Sequence, residues 1–265
     1  MKTNYLYNEN CLDTMAKMED NFIDLTVTSP PYDNLRTYNG YSFDFESIAK
    51  EIYRVTKDGG IVVWIVGDAT IKGSETGTSF RQALYFMECG FKLNDTMVWN
   101  KGTFTAVGAL RARYAPVFEY MFIFTKGKAK SFNPIKDRPN KWAGTSAHGT
   151  SRQKDGSTKR ITTHNKKTIP EFGQRFNIWE IPNAGKKGTK HPAVFPEQLA
   201  NDHIISWSNE NDIVYDPFMG SGTTAKMAII NKRNWIGSEM SLEYCDIVHE
   251  RLKQFDDDIF LNDND

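Results

Sequence analysis

Runs of apolar residues, separated by turn-forming clusters, divide the chain into alternating strands and helices. Residues 22–28 are β-branched and apolar and stop at Ser29-Pro30-Pro31. Proline cannot continue a strand ladder, so the pattern predicts a buried strand ending in a tight turn. Phe45, Ile48, Ala49, Ile52 and Val55 recur at helical spacing over 45–56, before Asp58-Gly59-Gly60. A continuous apolar strand is predicted over 61–66, ending at Gly67-Asp68, and a helix over 80–88, stopped by Gly90. Residues 95–99 and 117–124 supply two further strands. Beyond a polar stretch, a helix is predicted over 196–206, a strand over 213–215, a helix over 225–231, a strand over 235–237 and a closing helix over 242–255. Strands that alternate with helices imply a mainly parallel sheet covered on both faces.

With 265 residues, 39% of them hydrophobic, the chain can bury one sizeable α/β core plus a smaller appended region. No run approaches the roughly 20 apolar residues that span a bilayer, and the N-terminus lacks a signal pattern. No membrane association and a cytoplasmic location are expected. Cys11, Cys89 and Cys245 are scattered, which argues against a disulfide framework or a structural metal.

Net charge is zero, yet charge is unevenly distributed. Residues 126–190 carry sixteen Lys and Arg against four Asp and Glu, a surplus of twelve positive charges that the remainder of the chain must balance. Such a segment reads either as a solvated loop or as a phosphate-binding face. Its interleaved aromatics, Phe132, Trp142, Phe172, Phe176 and Trp179, favour the second.

Two turns carry chemistry. In the first, residues 216–224 (Asp216, Pro217, Phe218, Met219, Gly220, Ser221, Gly222, Thr223, Thr224) lie between a strand and a helix. Ligands of open α/β sheets bind beyond the carboxyl ends of the strands. Gly220 and Gly222 let the backbone turn sharply against a ligand, and amides at the helix start can face a carboxylate. One strand later, Glu239 stands where an acid accepts hydrogen bonds from ribose hydroxyls. Turn and acid together point to a nucleoside ligand. In the second, Ser29-Pro30-Pro31-Tyr32, the hydroxyl of Ser29 and the carbonyl of Pro30 are acceptors and Tyr32 offers a stacking face. These suit a planar heterocycle whose amino group donates two hydrogen bonds.

Together the two motifs resemble those of the amino-group DNA methyltransferases of bacteria and phages, in their permuted β arrangement. Ser29, Pro30, Pro31 and Tyr32 are similar to the catalytic motif, and residues 216–224 to the cofactor motif, with the basic insertion between them. His191, Pro192 and Phe195 resemble an additional cofactor-pocket segment, and Glu239 the ribose-binding acid. Residues 111–126 resemble the strands leading into the target-recognition region. Where the family usually has Gly-Asp near the N-terminus, this chain has Glu9-Asn10-Cys11; the side-chain oxygen of Asn10 can replace the aspartate beside the cofactor's adenine.

The resemblance implies an α/β, Rossmann-like S-adenosylmethionine-dependent methyltransferase sheet with circularly permuted motif order. It implies a catalytic half at 1–132, an inserted target-recognition region at 133–178 and a cofactor-binding half at 179–265. S-adenosylmethionine is the expected cofactor, without a metal. Double-stranded DNA is the expected substrate, with Arg138, Lys141, Arg152, Lys159 and Arg160 as candidate phosphate or guanine contacts. A separate cognate restriction endonuclease and a homodimer are further expectations of the same origin. Arg36 and Tyr38 line the base pocket or lie on a surface loop. Ser29 at the head of its motif resembles cytosine-N4 members, whereas Asp or Asn there resembles adenine-N6 members. Adenine N6 is the alternative target, and an RNA methyltransferase or an inactive DNA-binding regulator are further alternatives.

Overall fold

A computed structural model describes residues 1–31, 43–103, 113–146, 149–160, 168–183 and 195–255. Tyr32, Arg36, Tyr38, Arg111, His191 and Pro192 lie outside the described residues. The chain divides into a larger unit, residues 1–133 with 177–265, and a smaller one, Pro134–Phe176.

In chain order the larger unit contains β1 (Tyr5–Tyr7), α1 (Cys11–Ala16), β2 (Ile23–Thr28), α2 (Phe45–Val55), β3 (Thr56–Val66), the short pair β4 (Thr70–Ile71) and β5 (Ser74–Glu75), α3 (Thr78–Glu88), β6 (Lys92–Asn100) and β7 (Phe118–Thr125). The smaller unit holds β8 (Arg138–Pro139), β9 (Thr150–Arg152), β10 (Thr158–Arg160) and β11 (Phe172–Gly173). The larger unit resumes with β12 (Ile178–Glu180), α4 (Glu197–Trp207), β13 (Ile213–Asp216), α5 (Thr223–Ile230), β14 (Asn234–Ser238), α6 (Leu242–Leu252) and a closing 3-10 turn.

Eight strands form one sheet in the order β1-β14-β13-β2-β3-β7-β6-β12. The first five are mutually parallel, β7 runs antiparallel to both β3 and β6, and β12 is parallel to β6. Both faces are covered, and the period of two along each strand divides the core. Ile61, Val63 and Ile65 of β3 and Met121 and Ile123 of β7 pack with Leu199, Ile204, Ala225 and Val248 of α4, α5 and α6. Val62, Trp64, Val66, Phe122 and Phe124 pack instead with Met15, Ile48, Ile52 and Phe86 of α1, α2 and α3. Burial on both faces is why β3 reads as a continuous apolar run.

Asp58-Gly59-Gly60, expected to separate a helix from a strand, lies inside β3. The pairing of β2 with β3 shifts register between Ile23–Thr56 and Leu25–Ile61, so the glycines form a bulge. A Cβ on Gly60 would come within 2.8 Å of the Lys57 carbonyl oxygen. The elements that the pattern did not predict (β1, α1, β4, β5 and β12, with the four strands of the smaller unit) are all six residues or shorter.

In the smaller unit β8 pairs with β11 and β9 with β10, both antiparallel. Arg175 donates to Asp137 at 2.8 Å. The Arg138 guanidinium lies 4.5 Å from the centre of the Phe176 ring, and a Cβ on Gly173 would meet its Nη2 at 2.5 Å.

Candidate active site

Four parallel strands deliver the candidate residues to one edge of the sheet. The pairing of Tyr7 with Ser238, Asp216 with Gly237, Tyr215 with Thr26 and Thr28 with Trp64 aligns the carboxyl ends of β1, β14, β13, β2 and β3. Ser29 leaves β2, the glycine turn leaves β13, Glu239 follows β14, and Asn8 and Asn10 follow β1. This is the crevice where open α/β sheets bind ligands.

Asp216 ties the two turns together. Its Oδ1 accepts from the Thr28 hydroxyl at 2.7 Å and from the Phe218 amide at 3.0 Å, and its Oδ2 accepts from the Thr224 hydroxyl at 2.7 Å. Burial raises its pKa, against those three hydrogen bonds. The carboxylate therefore faces inward and braces the turn.

The turn itself is left-handed at two glycines, with φ of 53° at Gly220 and 79° at Gly222. Four of its amides are engaged within the protein, that of Phe218 by Asp216. The Met219 amide donates to the Ser238 carbonyl, Gly220 to Glu239 and Gly222 to the Met219 carbonyl. The amides of Phe218, Met219, Gly220 and Gly222 hold the turn's shape; those at the start of α5, which the sequence suggested could face a ligand carboxylate, are separate from these. Pro217 is buried, while Phe218 is half-buried with its ring 5.7 Å from that of Phe43 and 6.3 Å from that of Trp64.

Glu239 keeps capacity for a ligand. Its Oε2 accepts from the Gly220 amide and its Oε1 from the Ser241 amide, both at 2.9 Å. Each carboxylate oxygen carries two lone pairs, so acceptor positions remain beyond these two bonds. Burial raises the pKa of this group too, opposed by hydrogen bonds from the Ser241, Gly220 and Met240 amides.

Asn10 caps α1, accepting from the Leu12 amide at 2.9 Å through the oxygen proposed for adenine. Cys11 is buried, and burial raises its thiol pKa to about 12, so it packs as a small apolar residue. The side chains of Ser221 and Thr223 are engaged by Arg251, at 3.2 and 3.0 Å. Phe195 is half-buried against the core face that α4, α5 and α6 cover. Ser29 is half-buried and Pro30 buried.

Sequence reasoning missed Thr28 as a bridge and missed Arg251 altogether. Neither belongs to a local pattern: their partners are 188 and 30 positions away.

In the smaller unit, Arg138 is half-buried, under Phe176, and its Nε donates to the Gln174 carbonyl at 3.1 Å. Lys141 lies 5.4 Å from the Trp142 ring centre. Arg152, Lys159 and Arg160 stand exposed on the β9–β10 ribbon. Of the five candidate DNA-binding residues, these three have no side-chain partner among the described residues. No group of His, Cys, Asp and Glu suited to a metal occurs among the described residues, and no helix among them is long and apolar enough to cross a membrane.

The sequence profile of the N6/N4 methyltransferases, described as DNA methylase, matches residues 23–250. The chain belongs to this family. An orphan methyltransferase of Bacillus amyloliquefaciens, M.BamHII, is 60% identical to the methylase over 241 residues, covering 88% of this chain and 89% of the relative. The type II methyltransferase M.BglII of Bacillus subtilis is 28% identical over 264 residues, covering 94% and 69%. Among solved structures, the PvuII DNA methyltransferase, cytosine-N4-specific, superposes with a TM-score of 0.68 at 22% identity, covering 95% of this chain and 86% of its own. M1.HpyAVI in complex with S-adenosylmethionine gives 0.62 at 23% identity, covering 93% and 98%. At these identities the structures establish the fold that they share with the methylase, an α/β methyltransferase sheet.

Proposed function

We propose that this DNA methyltransferase transfers a methyl group from S-adenosylmethionine to the N4 amino group of cytosine, in a base turned out of duplex DNA. The observation that carries the proposal is the Thr28–Asp216 hydrogen bond, which fixes the residue before Ser29 to the first residue of the glycine turn. It couples base pocket and cofactor pocket at their roots. S-adenosylmethionine, when bound, supplies a sulfonium methyl group open to attack by nitrogen. The left-handed backbone of Gly220 and Gly222 and the unfilled acceptor positions of Glu239 fit its nucleoside.

The amino group of a base is a poor nucleophile because its lone pair is delocalised into the ring. The Ser29 hydroxyl and the Pro30 carbonyl accept its two hydrogens, favouring a pyramidal nitrogen whose lone pair points at the methyl group. Positive charge grows on that nitrogen during transfer, and acceptors already in place stabilise it without reorganisation. Tyr32 supplies the stacking face, and extruding the base costs a few kcal/mol. Positioning accounts for much of the remaining acceleration.

Serine at position 29 supports cytosine. The basic unit 134–176 supplies the DNA contacts in this proposal, chiefly through Arg152, Lys159 and Arg160. The test is mass spectrometry of nucleosides from plasmid DNA incubated with the protein and S-adenosylmethionine. N4-methylcytosine is expected. N6-methyladenine would retain the family chemistry and overturn the assignment of the base, and methylation of RNA alone would overturn DNA as substrate.

A further inference from the structure

We propose that Arg251, on the last turn of α6, is a positioning residue for S-adenosylmethionine binding. This rests on the methyltransferase function proposed above. Its Nη1 donates to the Ser221 carbonyl at 2.9 Å, the Ser221 hydroxyl at 3.2 Å and the Thr223 hydroxyl at 3.0 Å. Its Nη2 donates to Glu197 Oε1 at 2.6 Å, and Lys226 of α5 donates to the same oxygen at 2.7 Å. One guanidinium thus joins α6, the glycine turn and the first residue of α4. That last residue follows directly on the segment 191–196, which resembles a cofactor-pocket element.

Arginine suits this task because its planar fork presents donors in fixed directions, whereas lysine is a point charge on a flexible stem. The Arg251 side chain is 17% exposed, so its hydrogen bonds are shielded from competing water. Burial alone would raise the pKa of Glu197; the hydrogen bonds from Lys226 and Arg251 outweigh it and hold the carboxyl below its ordinary value. The cluster is therefore an ionised triad at neutral pH.

A turn with two left-handed glycines has many competing conformations. Glu239 holds it at Gly220, and Arg251 holds it at Ser221 and Thr223. Fixing the turn before the ligand arrives removes an ordering cost that binding would otherwise bear. Loss of Arg251 should then weaken cofactor affinity and leave handling of DNA largely intact.

The experiment compares Arg251→Ala and Arg251→Lys with the full-length wild-type chain. Calorimetry gives the Kd for S-adenosylmethionine, kinetics at saturating cofactor give kcat and KM for plasmid DNA, and thermal unfolding gives Tm. For Arg251→Ala, Kd is expected to rise about tenfold, equivalent to ~1.4 kcal/mol, with KM for DNA within about twofold. Arg251→Lys, which keeps the charge beside Glu197 but not the fork, should fall between. A lowered Tm with unchanged Kd would make Arg251 a structural staple only and overturn the proposal. So would an equal rise in Kd and in KM for DNA. Should the alanine variant not fold, the lysine variant decides by the same criteria. A wild-type chain that binds no S-adenosylmethionine would refute the proposed function itself, a separate result.

Discussion

Thr28 and Asp216 are the last residues of adjacent strands, and the Thr28 hydroxyl donates to the Asp216 carboxylate at 2.7 Å. Both side chains are buried. Thr28 directly precedes the Ser-Pro-Pro turn and Asp216 opens the glycine turn, so one hydrogen bond spans the two halves of the candidate site. Thr28→Val keeps the shape and removes the donor. Leaving a buried carboxylate one donor short should cost about 1–3 kcal/mol of stability, read as a lower urea midpoint, and should lower turnover on DNA. Unchanged stability and turnover would show that the bond couples nothing.

Asp216 also gives the protein a pH signature. Burial raises its pKa, so the folded chain keeps this proton at a pH where the unfolded chain has lost it. Its contribution to stability is fully present below the unfolded pKa of about 4 and is lost as pH rises through the higher folded value. Asp216→Asn removes that titration. The unfolding free energy of the wild type should therefore fall relative to the variant as pH increases from about 4, then run parallel to it. Glu239 shifts in the same direction, mainly through burial and in part through the charge of Asp216, so the measured difference includes that coupling. Curves parallel over the whole range would contradict the buried, raised carboxyl.

Gly222 joins the turn to α5 with φ of 79°, and a Cβ there would stand 3.0 Å from Val248 Cγ1. Gly222→Ala adds backbone strain of roughly 1–2 kcal/mol and pushes on α6. The expected result is weaker S-adenosylmethionine binding by calorimetry, together with a lower Tm. Wild-type affinity would mean that the turn tolerates a different shape.

Lys159 and Arg160 are exposed on the β9–β10 ribbon. If they neutralise DNA phosphates, reversing both charges should weaken DNA binding. It should also flatten the dependence of log affinity on log salt by about 0.9 for each phosphate no longer neutralised. An unchanged slope would assign the DNA face to other residues.

Period and punctuation in the sequence determined most of the sheet. The runs at 22–28 and 61–66 are apolar because both faces of the sheet are covered, and that burial is a local requirement visible in composition. Ser29-Pro30-Pro31 and the glycine turn were legible because their backbones need particular residues whatever surrounds them. Only tertiary structure decided the rest. β1 is three residues long and exists through its pairing with β14, more than 200 positions away. The glycine pair at 59–60 reads as a stop, yet the strand continues through it as a bulge, because pairing with β2 resumes beyond the shift in register. Asp216, Ser221 and Thr223 are legible as members of a motif, whereas Thr28 and Arg251, which their side chains engage, belong to other elements and could not be read from it. Local conformation depends on nearby residues and can be read along the chain. Hydrogen bonds between distant elements depend on how strands stack and which helix crosses them, and only the folded structure brings those partners together.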